Sequence, residues 1–273
     1  MKLKYVFLIL TAFLTVYSCS KDSSDVGSET EQTVVVNKTP NLQGTGDSAN
    51  DLLSNNTFTK LLVEIGYVEG FRPTARTEAD VIEFLKEITF KDDVQIIYKQ
   101  LESTGKTSLT LQEIADEEKE QRTAYNTDDT IAVYIYFADA AADTDDPNSN
   151  SATLGAVYRN TSMVIYESTV RKLANSSVLI SLATAETATM HHEFGHLFGL
   201  VNLGTSMVNP HESQSENSEG VVEGDSHCDI DGCLMNAQLE FGSGMRKMLV
   251  AKNGAVPELD AECMLDLQAN GGR

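Results

Sequence analysis

The chain has no tryptophan, only five prolines and only four cysteines in 273 residues. Four cysteines are too few for a disulfide-stapled scaffold. A fold of this length must be held by an ordinary apolar core, which 41% hydrophobic residues can supply. Positive charge is also scarce: 20 Lys and Arg stand against 41 Asp and Glu, for a formal net charge of −21. Charge of that sign repels phosphates, which excludes nucleic acid as a partner, and it repels an anionic bilayer as well. Membrane attachment would therefore need a covalent anchor. Nor is there an apolar run of the roughly 20 residues that span a hydrocarbon core. The stretch from Tyr5 to Val16, behind Lys2 and Lys4, has instead the length of a signal-peptide h-region.

The residues at the end of that stretch supply an anchor. Val16-Tyr17-Ser18-Cys19 resembles a bacterial lipobox, with a small residue before the cysteine. The resemblance implies cleavage after Ser18, a lipoprotein signal peptide over 1–18, and acylation of Cys19. It places the mature chain outside the cytoplasm, lipid-anchored to a bacterial membrane at the outer membrane or cell surface. Residues 19–56 are polar and acidic, with little apolar periodicity, and read as a flexible tether. Ordered sequence is expected from Thr57, with 57–273 as the functional domain.

Within it, Leu61, Val63, Ile65 and Tyr67 alternate as a half-buried strand does. Thr77-Glu78-Ala79-Asp80 reads as a capping box before an amphipathic helix carrying Val81, Phe84, Leu85 and Ile88. A strand at Val94–Tyr98 and a short acidic helix at Thr110–Glu120 come next. Ile131 to Phe137 is apolar on both faces, as a central strand is. The acidic loop Asp143–Ser151 has carboxylates that could bind calcium, but Pro147 stands where an EF-hand loop needs a ligand, so a solvated loop is the better reading. Strand-like runs resume at Ala156–Tyr158 and Met163–Tyr166, and a long helix runs from about Ser181 to Gly199. This order describes an α+β domain with a mixed twisted sheet and packed helices. Residues 200–273 form a smaller irregular C-terminal subdomain.

That long helix carries His192-Glu193-Phe194-Gly195-His196. Residues four apart on a helix differ by only about 40° in azimuth, so both imidazoles project from one face and reach one ion. Zinc is the ion for which imidazole pairs at this spacing are suited. Glu193 lies about 100° around from His192. There it can stand beside the metal and take a proton from activated water. His191 points away from the pair, to a place behind the ligands or at the surface. Catalytic zinc keeps three protein ligands and an open position, and the chain beyond offers two further histidines, His211 and His227.

The motif extended to Gly199 resembles the metzincin pattern, in which a glycine turn brings the chain back to the metal with a third histidine. Here that third position is Asn202, a poor zinc ligand. Further on, His227-Cys228-Asp229-Ile230-Asp231-Gly232-Cys233-Leu234-Met235 is similar to the archaemetzincin pattern H-C-x4-C-x-M. The resemblance implies a zincin or metzincin-like fold, with His227 as third ligand and Met235 as the methionine-turn residue beneath the site; His211 stays the alternative ligand. Archaemetzincins complete a four-cysteine zinc site with a later C-x-x-C pair. Only Cys263 comes later here, so one catalytic zinc is expected, with a Cys228–Cys233 disulfide suited to an exported protein. Lipidated, acidic chains of this layout also resemble exported metzincin-type lipoproteins of Bacteroidetes-like bacteria.

The implied activity is zinc-dependent endopeptidase hydrolysis with Glu193 as general base, acting on a peptide or protein that pairs with the Gly155–Tyr158 or Met163–Tyr166 strand. Two other readings stay open. A gluzincin-type peptidase would take its third ligand from a glutamate between Glu212 and Glu223. A catalytically inactive, zinc-stabilised surface lipoprotein would explain Asn202 but not the retained Glu193.

Overall fold

The central strand is where the core is built. In the computed structural model, which describes residues 36–146, 152–216 and 220–273, every residue from Ile131 to Phe137 is buried. Chain order is α1 (Ala49–Leu53), β1 (Lys60–Val68), α2 (Ala75–Ile88), β2 (Asp93–Leu101), β3 (Ser108–Leu109), α3 (Leu111–Gln121), β4 (Thr130–Phe137), β5 (Ala141–Ala142), β6 (Gly155–Arg159) and β7 (Ser162–Ile165). After these come α4 (Glu167–Asn175), α5 (Leu182–Leu197), β8 (Glu212–Glu216), β9 (Val222–Cys228), α6 (Gly242–Ala251) and α7 (Ala261–Ala269). Five strands form one mixed sheet in the order β2-β1-β4-β7-β6. The first four strands in that order pair parallel, and β6 closes the edge antiparallel to β7. β4 is the middle strand, covered on both faces, as its unbroken apolar pattern requires.

Side-chain oxygens cap the starts of α2, α3, α5 and α7. Thr110 and Glu113 make a complete capping box at α3. Ser181 caps α5 through the Thr184 amide. The box expected at Thr77–Asp80 lies one turn too late: α2 begins at Ala75, and Thr74 caps it by accepting from Thr77 N. Pro73 ends the preceding extended segment, and the Thr77 hydroxyl donates to Glu186 of α5 instead.

Two further expectations are corrected. The tether does not reach residue 56. Ser48–Ser54 packs into the core through Leu52 and Leu53, and buried Asn41 bonds Ala132 O, Asn126 and Thr161. Lys91, itself buried, donates to the carbonyls of Asp51, Ser54 and Phe58 and ties this segment down. Gly46 and Gly204 meet backbone to backbone: a Cβ on Gly46 would fall 2.0 Å from Leu203 O, and one on Gly204 2.5 Å from Thr45 O. The C-terminal part is also less irregular than expected, because β8 and β9 pair as an antiparallel hairpin and α6 packs on α4. Residues 1–35, with the expected signal peptide and Cys19, lie outside the described residues. Among the described residues no helix is long and apolar enough to cross a membrane.

Candidate active site

Helix α5 is buried along nearly its whole length, and its C-terminal turn aims His192 and His196 at one point. The helix then ends in a Schellman motif: Gly199 N donates to His196 O and Leu200 N to Gly195 O, both at 3.1 Å. Gly199 has φ +73°, a conformation glycine adopts without strain. Asn202, at φ +63°, continues the reversal and donates to Glu212 Oε2. Asparagine tolerates the left-handed region better than most residues, so this side chain serves the turn, not a metal.

The hairpin β8–β9 carries the chain back. His227, the next-to-last residue of β9, is buried, and its imidazole stacks on that of His192. His192, His196 and His227 each offer a ring nitrogen within 4.8 Å of the others. His192 Nε2 and His196 Nε2 are 3.2 Å apart. Two nitrogens bound tetrahedrally to one zinc at 2.0–2.1 Å would stand about 3.3–3.4 Å apart, so the donor set fits zinc. Backbone carbonyls set the tautomers. His192 Nδ1 donates to Leu234 O at 2.7 Å and His227 Nδ1 to Asp225 O at 2.8 Å, which leaves both Nε2 atoms as lone-pair donors. Burial, then the neighbouring His227, pushes His192 down to about 3, and burial with both partners holds His196 well below the usual range. The helix therefore presents neutral imidazoles, the form that binds a metal.

Glu193 is fully buried beside this group. Burial, and then the charge of Glu240, holds its carboxyl well above the usual range; a divalent cation nearby would reverse that push. Glycines make room on two sides. A Cβ at Gly155, the first residue of β6, would fall 2.6 Å from Glu193 Oε1. A Cβ at Gly195 would fall 2.1 Å from Met235 Sδ, so Met235 packs directly against the helix between the two ligands. Glu240 Oε2 lies 3.2 Å from His227 Nε2 at the edge of the site.

No family model matches the chain, and no curated protein matches it either. Among solved structures it is similar to the crystal structure of archaemetzincin from Methanopyrus kandleri, at 17% identity and a TM-score of 0.45, over 78% of this chain and 96% of that one.

His211 is not brought to the three-histidine group. It is buried elsewhere, with Nδ1 bonded to Asn209 O and Nε2 3.5 Å from Asp266 and 3.6 Å from Cys263 Sγ. Glu212 is engaged by Asn202 and by Ser226 N, and no carboxylate joins the histidines as a ligand group among the described residues. His191 is buried, not at the surface, and its ring stacks on Phe84 at 3.9 Å. In the acidic loop, Asp145 is bonded to Thr153, while 147–151 fall outside the described residues.

The expected Cys228–Cys233 disulfide is absent: Cys228, Cys233 and Cys263 are all free thiols. They meet Asp260 in a largely buried group whose ligand atoms lie within 4.8 Å of one another. Cys233 Sγ and Cys263 Sγ are 3.6 Å apart, and Cys228 Sγ is 3.1 Å from Asp260 Oδ2. Thiolates on a tetrahedral zinc would stand about 3.8 Å apart. Asp260 Oδ1 caps α7 through Cys263 N, leaving Oδ2 for the group. Thiol spacing alone does not reveal this cluster in the sequence. The Asp260-x-x-Cys263 spacing, read as a ligand pair, could have revealed it.

Proposed function

We propose that the chain is a zinc-dependent endopeptidase of metzincin type. The observation that carries this is the convergence of three buried imidazoles from α5 and β9, with the Glu193 carboxyl alongside. His192, His196 and His227 would hold the catalytic ion, and Cys228, Cys233, Asp260 and Cys263 a second, structural one. Bound zinc polarises a carbonyl and makes water a nucleophile near neutral pH.

The chain's own residues do the rest. Glu193 takes the water proton and returns it to the leaving amine. Leu234 O and Asp225 O hold the His192 and His227 rings. Met235 gives an apolar floor. An extended peptide would pair along β6, since sheet order leaves β6 at the edge beside α5 and places β7 inside. Glu193→Gln in zinc-loaded protein should keep the metal and lose peptide hydrolysis by at least about 10²-fold. Retained hydrolysis, or loss of the metal with it, would overturn the assignment. Export and lipid anchoring at Cys19 remain part of the proposal, supported by the sequence of residues 16–19; membrane fractionation tests them.

A further inference from the structure

Residues 168–185 and 241–257 contain no Asp or Glu, although acids outnumber Lys and Arg by 41 to 20 in the whole chain. The two acid-free stretches include most of α4 and all of α6, and these helices pack on each other. Between them lies a recess of about 420 Å³, within the range of small-molecule sites. Thr169, Lys172 and Ser176 line it from α4 and its end, and Gly242, Ser243 and Arg246 line it from α6. No carboxylate is among the lining residues. The neighbouring Arg171 is paired with Glu167, but neither Lys172 nor Arg246 has an ion pair among the described residues.

Two further donors belong to the same walls. α6 starts without a side-chain cap; Gly242 N donates to Ala152 O and Met245 N to Phe241 O, which leaves the Ser243 amide unpaired at the positive end of the helix dipole. Thr169 is only 6% exposed, and its hydroxyl has no partner among the described residues. It is not one of the unpartnered atoms sealed from solvent, so the surface it keeps opens on the recess that it lines. The carbonyls at the end of α4, which would repel an anion, are already satisfied: Leu173 O accepts from Ser176 N and Oγ, and Ala174 O from Ser177 N. Donors and positive charge without a carboxylate select an oxyanion, and two free cations match a dianion better than a monoanion. A phosphate group carries close to two negative charges and several strong acceptor oxygens. The net charge of −21 opposes it only at range, since charges farther off than about 8 Å are screened at physiological salt.

We infer that the α4–α6 recess is a binding site for a phosphate group, separate from the three-histidine centre. Two sources share that chemistry, a free phosphate and the headgroup of a lipid. The second has its own motive: Val178 and Leu179, just beyond Ser176, are 104% and 59% exposed and present bare aliphatic surface beside the recess.

The test is calorimetric titration of the zinc-loaded full chain, freed of excess metal, at about 0.15 M salt. A hydroxamate saturates the catalytic centre, so that phosphate cannot reach an ion there. Inorganic phosphate should bind with a Kd in the millimolar range or tighter, and acetate at least about tenfold more weakly. Lys172→Gln and Arg246→Gln, both at exposed positions, should each weaken phosphate about tenfold, and the nearly isosteric Thr169→Val about threefold. Lys247→Gln, which removes a neighbouring cation outside the recess, should leave the affinity within about twofold. Dihexanoylphosphatidic acid, kept below its micelle concentration, separates the sources. An affinity equal to that of inorganic phosphate assigns a free phosphate; a tighter one that falls back in Leu179→Ser assigns a lipid headgroup. No phosphate binding, acetate bound as tightly as phosphate, unchanged affinity in Lys172→Gln and Arg246→Gln, or an equal loss in Lys247→Gln would overturn the inference. Binding is read without peptide hydrolysis, so failure of the peptidase reading and failure of this one are separable.

Discussion

Gly155→Ala tests the catalytic arrangement without touching a reacting group. The added methyl would stand 2.6 Å from Glu193 Oε1 and 2.9 Å from its Cδ and Cγ. Carbon contacts become comfortable near 3.5 Å, so the carboxylate must retreat by about 0.6–0.9 Å. Glu193 is buried on every side and cannot swing freely into solvent. A misplacement of about 1 Å at a catalytic group costs up to about 10²-fold. We therefore expect kcat on a fluorogenic peptide to fall about 10–10²-fold. KM should change little and zinc content not at all. Overpacking should cost about 1–3 kcal/mol of stability, read as a lower melting temperature. Because the methyl acts through Glu193, adding Gly155→Ala to Glu193→Gln should cause little further loss. Activity within twofold of the parent, or losses that multiply in the double variant, would refute the reasoning.

The third-ligand assignment predicts that His227→Ala strips the catalytic zinc while His211→Ala leaves it; metal analysis of both variants decides this. Cys263→Ser should lower zinc content by one equivalent and destabilise the C-terminal part, since it removes one member of a four-ligand group; an unchanged metal content and melting curve would leave the thiols as mere core residues. Glu167 lies against Glu186 with both side chains buried, and burial, then that neighbour's charge, raises its carboxyl to about 9. Its folded value therefore lies above the ordinary 4.5. Its contribution is full below about 4.5 and is lost as pH rises toward 9. Glu167→Gln should flatten the melting temperature across that window and raise it at the alkaline end; a parallel decline in parent and variant would show that the pair does not set the pH dependence.

The sequence shows most plainly what depends on side-chain periodicity. The both-faced apolar run of β4 announces its place at the middle of the sheet, and the four-residue spacing of His192 and His196 puts both imidazoles on one face of α5 with Glu193 to its side. Elements held by backbone or polar contacts are harder to see. Glu212–Glu216 and Val222–Cys228 are largely polar, with no alternation, yet they pair because a hairpin satisfies their amides. Read as a loop of about 25 residues, that insertion makes His227 look costly to place. The segment around Asn41 has a disordered composition, but buried amide contacts hold it, and apolar content does not register them. Asp260 is hidden for a different reason. A ligand group sought among cysteines alone leaves out a carboxylate, and Asp260 also serves as the cap of α7.

On the proposed reading, the two candidate ligand groups also explain how so long an insertion could deliver a ligand accurately. Closing a flexible loop of about 25 residues costs on the order of 3 kcal/mol, and a loose loop would still leave His227 wandering. Here His227 is joined directly to Cys228, whose amide donates to Met235 O, while Asn236 bonds the carbonyls of Cys228 and Ile230. The stretch from His227 to Met235 is thus closed on itself and lies against α7 at Asp260 and Cys263. On the proposed reading, a structural ion at the thiols would clamp that stretch from behind, and the catalytic ion would hold it from the front. The β8–β9 hairpin then needs only to bring the chain back, because the accuracy comes from the clamp. On that reading, with the ligand supplied by a clamped segment further on, Asn202 is free to serve the turn, where it bonds Glu212.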